Sequence, residues 1–238
     1  MNLGVDGLPR LRSQTNVDTN AGTLPELSAI DRDTQGPDYP HYHHGMPLLV
    51  DPALPQGTLR DAAQPRLSTN DGLVLRPWQE SDAATVRTAF ACSDIQRWHV
   101  RRLDTLDEAG EWAGQWADRW DTETAASWAA VDGDDQPLGQ VGLRNISLAN
   151  GSASLSYWVT PAARGRAIAA RSAVALSSWA FGVIGFNRLN LQHSTANTAS
   201  CRVAERTGYR LEGTQRQAIK HADGWHDWHV HGRLRTDT

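Results

Sequence analysis

The sequence predicts an α/β fold in which a mixed central β-sheet is flanked by helices. From about residue 67 onward, segments that alternate apolar and polar residues are interleaved with segments of helical period. These patterns follow the order β-α-α-β-β-β-α-β-α-β-β, which is typical of a mixed sheet. Residues 1–66 lack such patterns, contain no Trp or Phe and are rich in Asp, Pro, Gly, Thr and Asn. We therefore expect an N-terminal extension over 1–66, irregular or partly disordered, and a folded domain over 67–238.

The first predicted elements of the domain are a short strand, LVLRPW at 73–78, and two helices at 80–91 and 105–120. The helix at 80–91 places its apolar residues on one side, as a surface helix does. The helix at 105–120 opens with Thr105 and Glu108 in the spacing of a capping box, in which each side chain bonds the other residue's backbone N–H.

Three tryptophans share one face of the second helix. Trp112, Trp116 and Trp120 recur at every fourth position, so their side chains neighbour one another along the helix. This stripe either packs in the core or forms a pocket wall, in which case Trp112 and Trp116 would contact a substrate.

Three strands follow, at 126–132, 137–147 and 153–159, separated by the turn sequences GDDQP and ANGS. An alanine-rich helix is then predicted over 167–184 and a strand over 188–194. The next segments are a short helix at 197–207, which Gly208 ends, and a final β-pair at 209–213 and 226–234.

The stretch TPAARGRAIAARSA, residues 160–173, combines a strand end with a helix start rich in small residues. The free N–H groups and the positive dipole end of such a helix attract anions. Small side chains let a phosphate approach the backbone, and Arg164 and Arg166 add positive charge. The stretch is therefore either a phosphate-binding loop or the start of a buried helix.

Composition and charge exclude several classes of protein. A net charge of −4 argues against nucleic-acid binding through phosphate contacts. The sequence lacks an apolar run of about 18 residues and a secretory signal, so we expect a cytoplasmic protein that spans no membrane. Two cysteines, Cys92 and Cys201, provide neither a disulfide framework nor a metal-binding spacing.

Four motifs occur in order in the second half of the chain: SYWV at 156–159, ARGRAIA at 163–169, NTASCRVAERTGYRLEG at 197–213 and DGWHDWHVHGRL at 223–234. Their order and spacing resemble the GCN5-related N-acetyltransferase (GNAT) superfamily. The RimJ/RimL-type branch, which acetylates N-terminal amines of proteins, is the most similar. The resemblance covers about residues 67–236.

The resemblance implies a GNAT fold, in which two parallel strands splay apart and bind acetyl-CoA in the gap. Backbone groups of Trp158, Val159 and Thr160 and the side chain of Asn197 would hold the pantetheine. Amides from Arg164 to Ala169 would hold the pyrophosphate. The implied cofactor-binding residues are Trp158, Val159, Thr160, Arg164, Gly165, Arg166, Ala167, Ile168, Ala169, Asn197 and Arg202. The loop departs from the family pattern at two positions. Ala162 stands where a Gln or Arg is usual, and Ala167 stands at the usual second glycine, which is tolerated if φ stays negative.

The resemblance also implies direct attack of an acceptor amine on the thioester in a ternary complex, with Ser200 stabilising or protonating the leaving thiolate. Backbone N–H groups would stabilise the oxyanion that forms. Ser154 stands where the branch often has an acidic residue, so an obvious general base is missing. Glu205, His193 or His231 could accept the proton, and His231 replaces the family's usual tyrosine.

The absence of an obvious general base favours an acceptor amine of low pKa. An α-amine titrates near 7.7–8.0, so on the order of a tenth to a fifth of it is neutral at pH 7. A lysine amine titrates near 10.4, and reaching its neutral form costs roughly 3.5 kcal/mol more. We therefore expect an α-amine acceptor in preference to lysine.

The predicted final hairpin carries further candidates for acceptor binding: Trp225, Asp227 and His229, with Asp227 matching the branch's usual acid. Trp225 and Trp228 either line an acceptor groove or pack in the core. His226 lies on the strand face opposite His229 and His231 because side chains alternate. We therefore expect no metal site in the hairpin and, for the whole protein, no metal cofactor.

Three functions remain open. The first is N-terminal acetylation of a peptide or protein, and the second is acetylation of a small-molecule amine such as an antibiotic or a natural-product intermediate. The third is a non-catalytic acyl-CoA sensor, to which the departures at Ala162, Ala167 and Ser154 point. The expected assembly is a monomer or a homodimer.

Overall fold

A computed structural model describes residues 49–69 and 71–237 and contains an eight-stranded mixed sheet with helices on both faces. The strands are β1 (Leu67–Ser68), β2 (Val74–Pro77), β3 (Ala126–Val131), β4 (Pro137–Ser147), β5 (Ser152–Val159), β6 (Arg188–Ser194), β7 (Arg210–His221) and β8 (Gly224–Leu234). The α-helices are α1 (Ala83–Phe90), α2 (Ser93–His99), α3 (Leu106–Asp121), α4 (Ile168–Trp179) and α5 (Thr198–Arg206). The predicted fold class is confirmed.

The sheet order is β1-β2-β3-β4-β5-β6-β8-β7, and its strand pairs are antiparallel except for β5 and β6. These two parallel strands pair only from Ser152 opposite Arg188 to Leu155 opposite Leu191. Beyond that point β5 continues along β4 and β6 continues along β8. The carboxyl ends of β5 and β6 therefore separate, as the family resemblance implies.

Each face of the sheet has its own apolar core. On one face, Leu155 and Leu191 of the parallel strands pack with residues of α4 and α5. On the other face, Trp158 packs with α1 and α3, including Trp112. Trp112 and Trp116 are both buried in this second core, so the tryptophan stripe packs in the interior.

The capping box of α3 is present as predicted. The Glu108 N–H donates to Thr105 Oγ1 (3.1 Å), and the Thr105 N–H donates to the Glu108 carboxylate (3.1 Å). The helix that follows spans 16 residues, and among the described residues no helix has the length and apolar character needed to cross a bilayer.

Part of the predicted extension packs on the domain. Leu59 is fully buried, and the Glu123 carboxylate accepts hydrogen bonds from the N–H groups of Gly57 (2.8 Å) and Leu59 (2.7 Å). The indole N–H groups of Trp120 and Trp128 donate to backbone carbonyls of the same segment. The boundary at residue 66 stays a prediction, and residues 1–48 lie outside the described residues.

Besides the two-residue edge strand β1, which we did not predict, two elements differ from the sequence expectation. The short helix α2 lies in a segment for which we predicted no element. The strand β7 runs to His221 rather than ending at residue 213, so β7 and β8 form a long hairpin that reaches α2. Both differences matter because these elements cover one end of the gap between β5 and β6.

Candidate active site

A cleft of about 600 Å³ lies where β5 and β6 separate. The two strands form its floor, the start of α4 and the first turn of α5 form its sides, and α2 and the β7–β8 hairpin close one end. Its lining residues are Asp94, Ile95, Trp98, His99, Leu155–Val159, Ala163–Gly165, Ala167–Ala170, Leu191–Ser194, Asn197, Ala199, Ser200, Arg202, Val203, Arg206, His221 and Trp228.

The edge of β5 presents unpaired backbone to the cleft. The Thr160 N–H donates to Leu138 O of β4 (2.9 Å), so that amide is used within the sheet. Because backbone groups alternate sides along a strand, those of Tyr157 and Val159 point away from β4 and into the gap. His99 Nε2 lies 3.2 Å from Tyr157 O and, facing a carbonyl, acts as the donor. The gap-facing backbone groups thus belong to Tyr157 and Val159, rather than to Trp158 and Thr160.

The start of α4 carries a row of free amides. The N–H groups of residues 165–170 make no hydrogen bond within the described part of the chain. Gly165 (φ 78°) and Ala167 (φ 55°) adopt left-handed conformations that turn these groups toward one concave surface. The negative φ under which alanine would be tolerated at this position is therefore not what Ala167 adopts. The arrangement is a nest of backbone donors at a helix N-terminus, which suits a phosphate.

Arginines surround this nest. Arg164 lines the cleft and pairs with Asp94 of α2 at 2.7 Å, while Arg202 lines it from α5. Arg166, in contrast, is exposed and lies outside the lining. The cleft therefore offers positive charge beside the free amides of α4.

The first turn of α5 faces the same gap. Asn197 caps the helix, because its Oδ1 accepts from the Ser200 N–H (3.1 Å). The Ser200 hydroxyl lies beside the side chain of Tyr157. Burial raises the pKa of Tyr157 to about 12, although Ser200 acts in the opposite direction. Tyr157 Oη is buried and makes no hydrogen bond of good geometry among the described residues. Two neutral hydroxyl groups thus meet at the point where the strands part.

Aromatic residues close the other end of the cleft. Trp98 and His99 come from α2, and His221 and Trp228 come from the hairpin. Arg97 of α2 fixes the two elements together, because its guanidinium pairs with Asp223 (2.9 Å) and its carbonyl accepts from His221 Nδ1 (2.8 Å).

Two histidines of the cleft, His99 and His193, have lowered pKa values. Burial, together with the positive charges of Arg144 and Arg101, lowers the pKa of His99 to about 4. Burial likewise lowers the pKa of His193. In His221 the proton on Nδ1 is used by the Arg97 carbonyl, which leaves Nε2 with an unused lone pair that is buried and without a partner in the described structure.

Several residues predicted from the sequence lie away from the cleft. Trp112 and Trp116 are core residues, Trp225 and Asp227 are exposed on the hairpin, and Glu205 is exposed on α5. The full set of predicted site residues outside the lining is Thr160, Arg166, Glu205, His231, Trp112, Trp116, Ser154, Trp225, Asp227 and His229.

Sequence reasoning missed Trp98, His99 and His221 of the aromatic end, together with Tyr157 of β5. Of the two hairpin tryptophans that it proposed for an acceptor groove, Trp228 lines the cleft and Trp225 does not. Tyr157 stands within the SYWV motif and could have been found by counting strand alternation from Thr160. His99 and His221 meet only because α2 packs on the hairpin, and no spacing in the sequence signals that contact.

Known proteins share this architecture. The uncharacterized N-acetyltransferase YoaA of Bacillus subtilis is 22% identical over 149 residues, covering 62% of this chain and 84% of YoaA. The ribosomal-protein-S5-alanine acetyltransferase of Vibrio fischeri superposes with a TM-score of 0.66 at 18% identity, covering 73% of this chain and 98% of that one. RimJ of Mycobacterium smegmatis, solved with a CoA disulfide, gives a TM-score of 0.64 at 19% identity, covering 71% of this chain and 86% of that one.

Residues 72–210, more than half of the chain, match the family described as the acetyltransferase (GNAT) domain. That range contains the separated strands, the free amides of α4 and the first turn of α5. The chain therefore belongs to the GNAT family of N-acetyltransferases.

Proposed function

We propose that this enzyme transfers the acetyl group of acetyl-CoA to the N-terminal α-amine of a peptide or protein. The choice of acceptor rests on one observation: Asp94 is the only acidic residue in the described lining of the cleft, and it is paired with Arg164. The cleft thus lacks a free carboxylate that could deprotonate a lysine side chain.

The chain's own groups fit the cosubstrate. The amides of residues 165–170 would hold the pyrophosphate, with Arg164 and Arg202 adding charge. The gap-facing backbone of Tyr157 and Val159 would bond the pantetheine as an added strand does, and the Asn197 side chain would contact the same arm. Acetyl-CoA supplies the activated acyl group; the residues of the cleft position it and exclude water.

Ser200 and Tyr157 are placed to assist departure of the thiol. Both hydroxyl groups are neutral at pH 7 and lie where the strands part, beside the proposed pantetheine path. Either can donate a hydrogen bond to a developing thiolate, which general acid catalysis requires.

The acceptor amine would enter at the aromatic end and lose its proton to a histidine. His221 Nε2 is the unused lone pair there. A histidine suits an amine that titrates near 7.7–8.0, whereas a lysine amine near 10.4 would need a much stronger base. The similarity to a ribosomal-protein-S5-alanine acetyltransferase supports a protein terminus as acceptor.

Release of free thiol from acetyl-CoA tests the proposal against a panel of peptides with free α-amines, N-blocked lysine peptides and amino-sugar antibiotics. We expect turnover on free termini, with kcat lowered about 10²-fold or more in Ser200→Ala. Turnover on antibiotics alone would assign the enzyme to small-molecule modification. Tight acetyl-CoA binding without turnover on any class would support an acyl-CoA sensor instead.

A further inference from the structure

Four potential metal ligands converge beneath α5, on the side of β6 and β8 away from α3. They are His193 of β6, His229 and His231 of β8 and Cys201 of α5. One ligand atom from each lies within 4.8 Å of those of all the others. His193 and His231 are buried, and His229 and Cys201 are half-buried. Within the described residues, this is the cluster whose geometry suits a metal ion.

The hydrogen bonds of two histidines aim their lone pairs into the cluster. His193 Nδ1 bonds Ser194 O (2.8 Å) and His231 Nδ1 bonds Tyr209 O (3.2 Å). A carbonyl only accepts, so both Nδ1 atoms carry the proton and both Nε2 atoms carry a lone pair in the neutral rings.

Those two lone pairs face each other. His193 Nε2 and His231 Nε2 are 3.2 Å apart, and one of them needs a proton or a cation to relieve the repulsion. An additional proton would place a charge on a buried ring, which costs free energy. A cation that both nitrogens bind satisfies the pair without charging either ring.

The spacing matches a tetrahedral zinc ion. Zn–N bonds of about 2.0–2.1 Å place two ligand nitrogens about 3.3 Å apart, and a Zn–S bond of about 2.3 Å gives an N···S separation of about 3.6 Å. The two Nε2 atoms already have this spacing. The half-buried side chains of His229 and Cys201 can close the remaining ångström or so by rotation, and His229 Nδ1 is a buried atom without a partner among the described residues.

Groups next to the four potential ligands favour metal binding as well. The carbonyls of Ser194 and Tyr209 orient the two rings, as backbone carbonyls do behind metal-binding histidines. The Cys201 thiol points at the Glu205 carboxylate, 3.8 Å away, which can take up the thiol proton when sulfur binds a metal. Nitrogen and thiolate donors select zinc over magnesium or calcium.

We propose that His193, His229, His231 and Cys201 bind one Zn²⁺ ion, which fastens α5 to β6 and β8. Cys201 follows Ser200 directly in the first turns of α5, so the ion would hold in place the helix that carries Asn197 and Ser200. Coordination by His229 and His231 departs from the expectation that the hairpin holds no metal; the missing ligands come from β6 and α5.

Metal content of the purified full chain tests the proposal. After treatment with a chelator and addition of Zn²⁺ with excess Mg²⁺, we expect one zinc per chain to survive dialysis and to raise the thermal unfolding temperature. Substituting Co²⁺ should produce visible d–d bands and a near-ultraviolet thiolate-to-cobalt band. A chain that stays zinc-free, as it would if His193 and His231 merely share a proton, would overturn the proposal.

Substitutions of single residues test which side chains bind the zinc ion. Cys201→Ser, at a half-buried position that tolerates the change, should remove the thiolate band. It should also weaken zinc binding. The loss should exceed the roughly 10–100-fold that follows from removing a group that only hydrogen-bonds to a metal ligand. Cys92→Ser is the matched control. The sequence DYPHYHHG at 38–45 holds three more histidines, so a His41→Gln, His43→Gln, His44→Gln variant is the second control; both variants should keep zinc and the band. Equal zinc affinity in Cys201→Ser and the wild type would contradict the site.

Discussion

His221 shows how a single side chain acquires a chemical role from its contacts. Its Nδ1 proton is committed to the Arg97 carbonyl, so the ring is held in one tautomer with Nε2 as the acceptor. The ring is buried and lines the acceptor end of the cleft. In the proposed reaction, this nitrogen receives the proton of the acceptor amine.

The substitution His221→Gln removes that lone pair and keeps a side chain able to bond the Arg97 carbonyl. We expect kcat on a free α-amine peptide to fall roughly 10²-fold while the KM for acetyl-CoA is unchanged. Steady-state thiol release measures both. His226→Gln is the control, because His226 lies on the same hairpin outside the cleft lining; an equal loss in both variants would argue for a general effect on the hairpin.

At the scale of elements, the cleft depends on how closely β4 approaches β5. A Cβ atom added to Gly139 of β4 would clash with Trp158 O and lie 3.1 Å from Val159 Cα. Glycine therefore lets the two backbones pack beyond the point where β5 leaves β6, and the position of the gap-facing groups follows from this contact.

The substitution Gly139→Ala should push the end of β5 away from β4. We expect the free energy of unfolding to fall by about 1–3 kcal/mol from the steric strain and the KM for acetyl-CoA to rise because the Val159 backbone moves. Denaturant unfolding and steady-state kinetics test this pair of effects. Gly133→Ala is the matched control, since its added Cβ would meet nothing within 4 Å, and an equal change there would show that the close contact is unimportant.

The elements also show what a sequence reveals. The strands β3 to β6 and the helices α3, α4 and α5 could be predicted because each has a regular period and a recognisable start or end. The helix α2 could not, since SDIQRWH is short and is held through its own Arg97 by Asp223 and His221 of the hairpin. The outer half of β7 was missed because its exposed residues show no alternation.

In the candidate site, too, local motifs could be predicted and long-range contacts could not. Asn197 and Ser200 were found because they lie within a local motif. The histidine cluster escaped prediction because His193 and His231 are 38 residues apart in the chain, and only the pairing of β6 with β8 brings them together. Residues that strand pairing brings together have no characteristic spacing in the sequence. Such a cluster is therefore recognised only in the structure.

For the molecule as a whole, the described part of the N-terminal segment contributes to the same core as the catalytic domain. Leu54 and Leu59 are buried beside Trp120 and Trp128, which also bond the segment's backbone. The folded unit of the described chain therefore begins before the sheet does.

The substitution Leu59→Ala measures that contribution. Because Leu59 is fully buried, we expect a loss of about 2–5 kcal/mol in the free energy of unfolding, read from denaturant or thermal unfolding. Leu106→Ala is the control, since Leu106 is 48% exposed and should cost far less. An unchanged stability in Leu59→Ala would mean that the segment is dispensable for the fold and would favour a domain starting at residue 67.

The proposed function requires that the enzyme acetylates an α-amine in preference to a lysine amine. A peptide that carries one free N-terminus and one internal lysine offers both acceptors at the same concentration, and tandem mass spectrometry of the product locates the acetyl group. We predict acetylation at the N-terminus, with the lysine unmodified at early times and the reaction strongly slowed in Ser200→Ala. Preferential acetylation of the lysine would contradict the account.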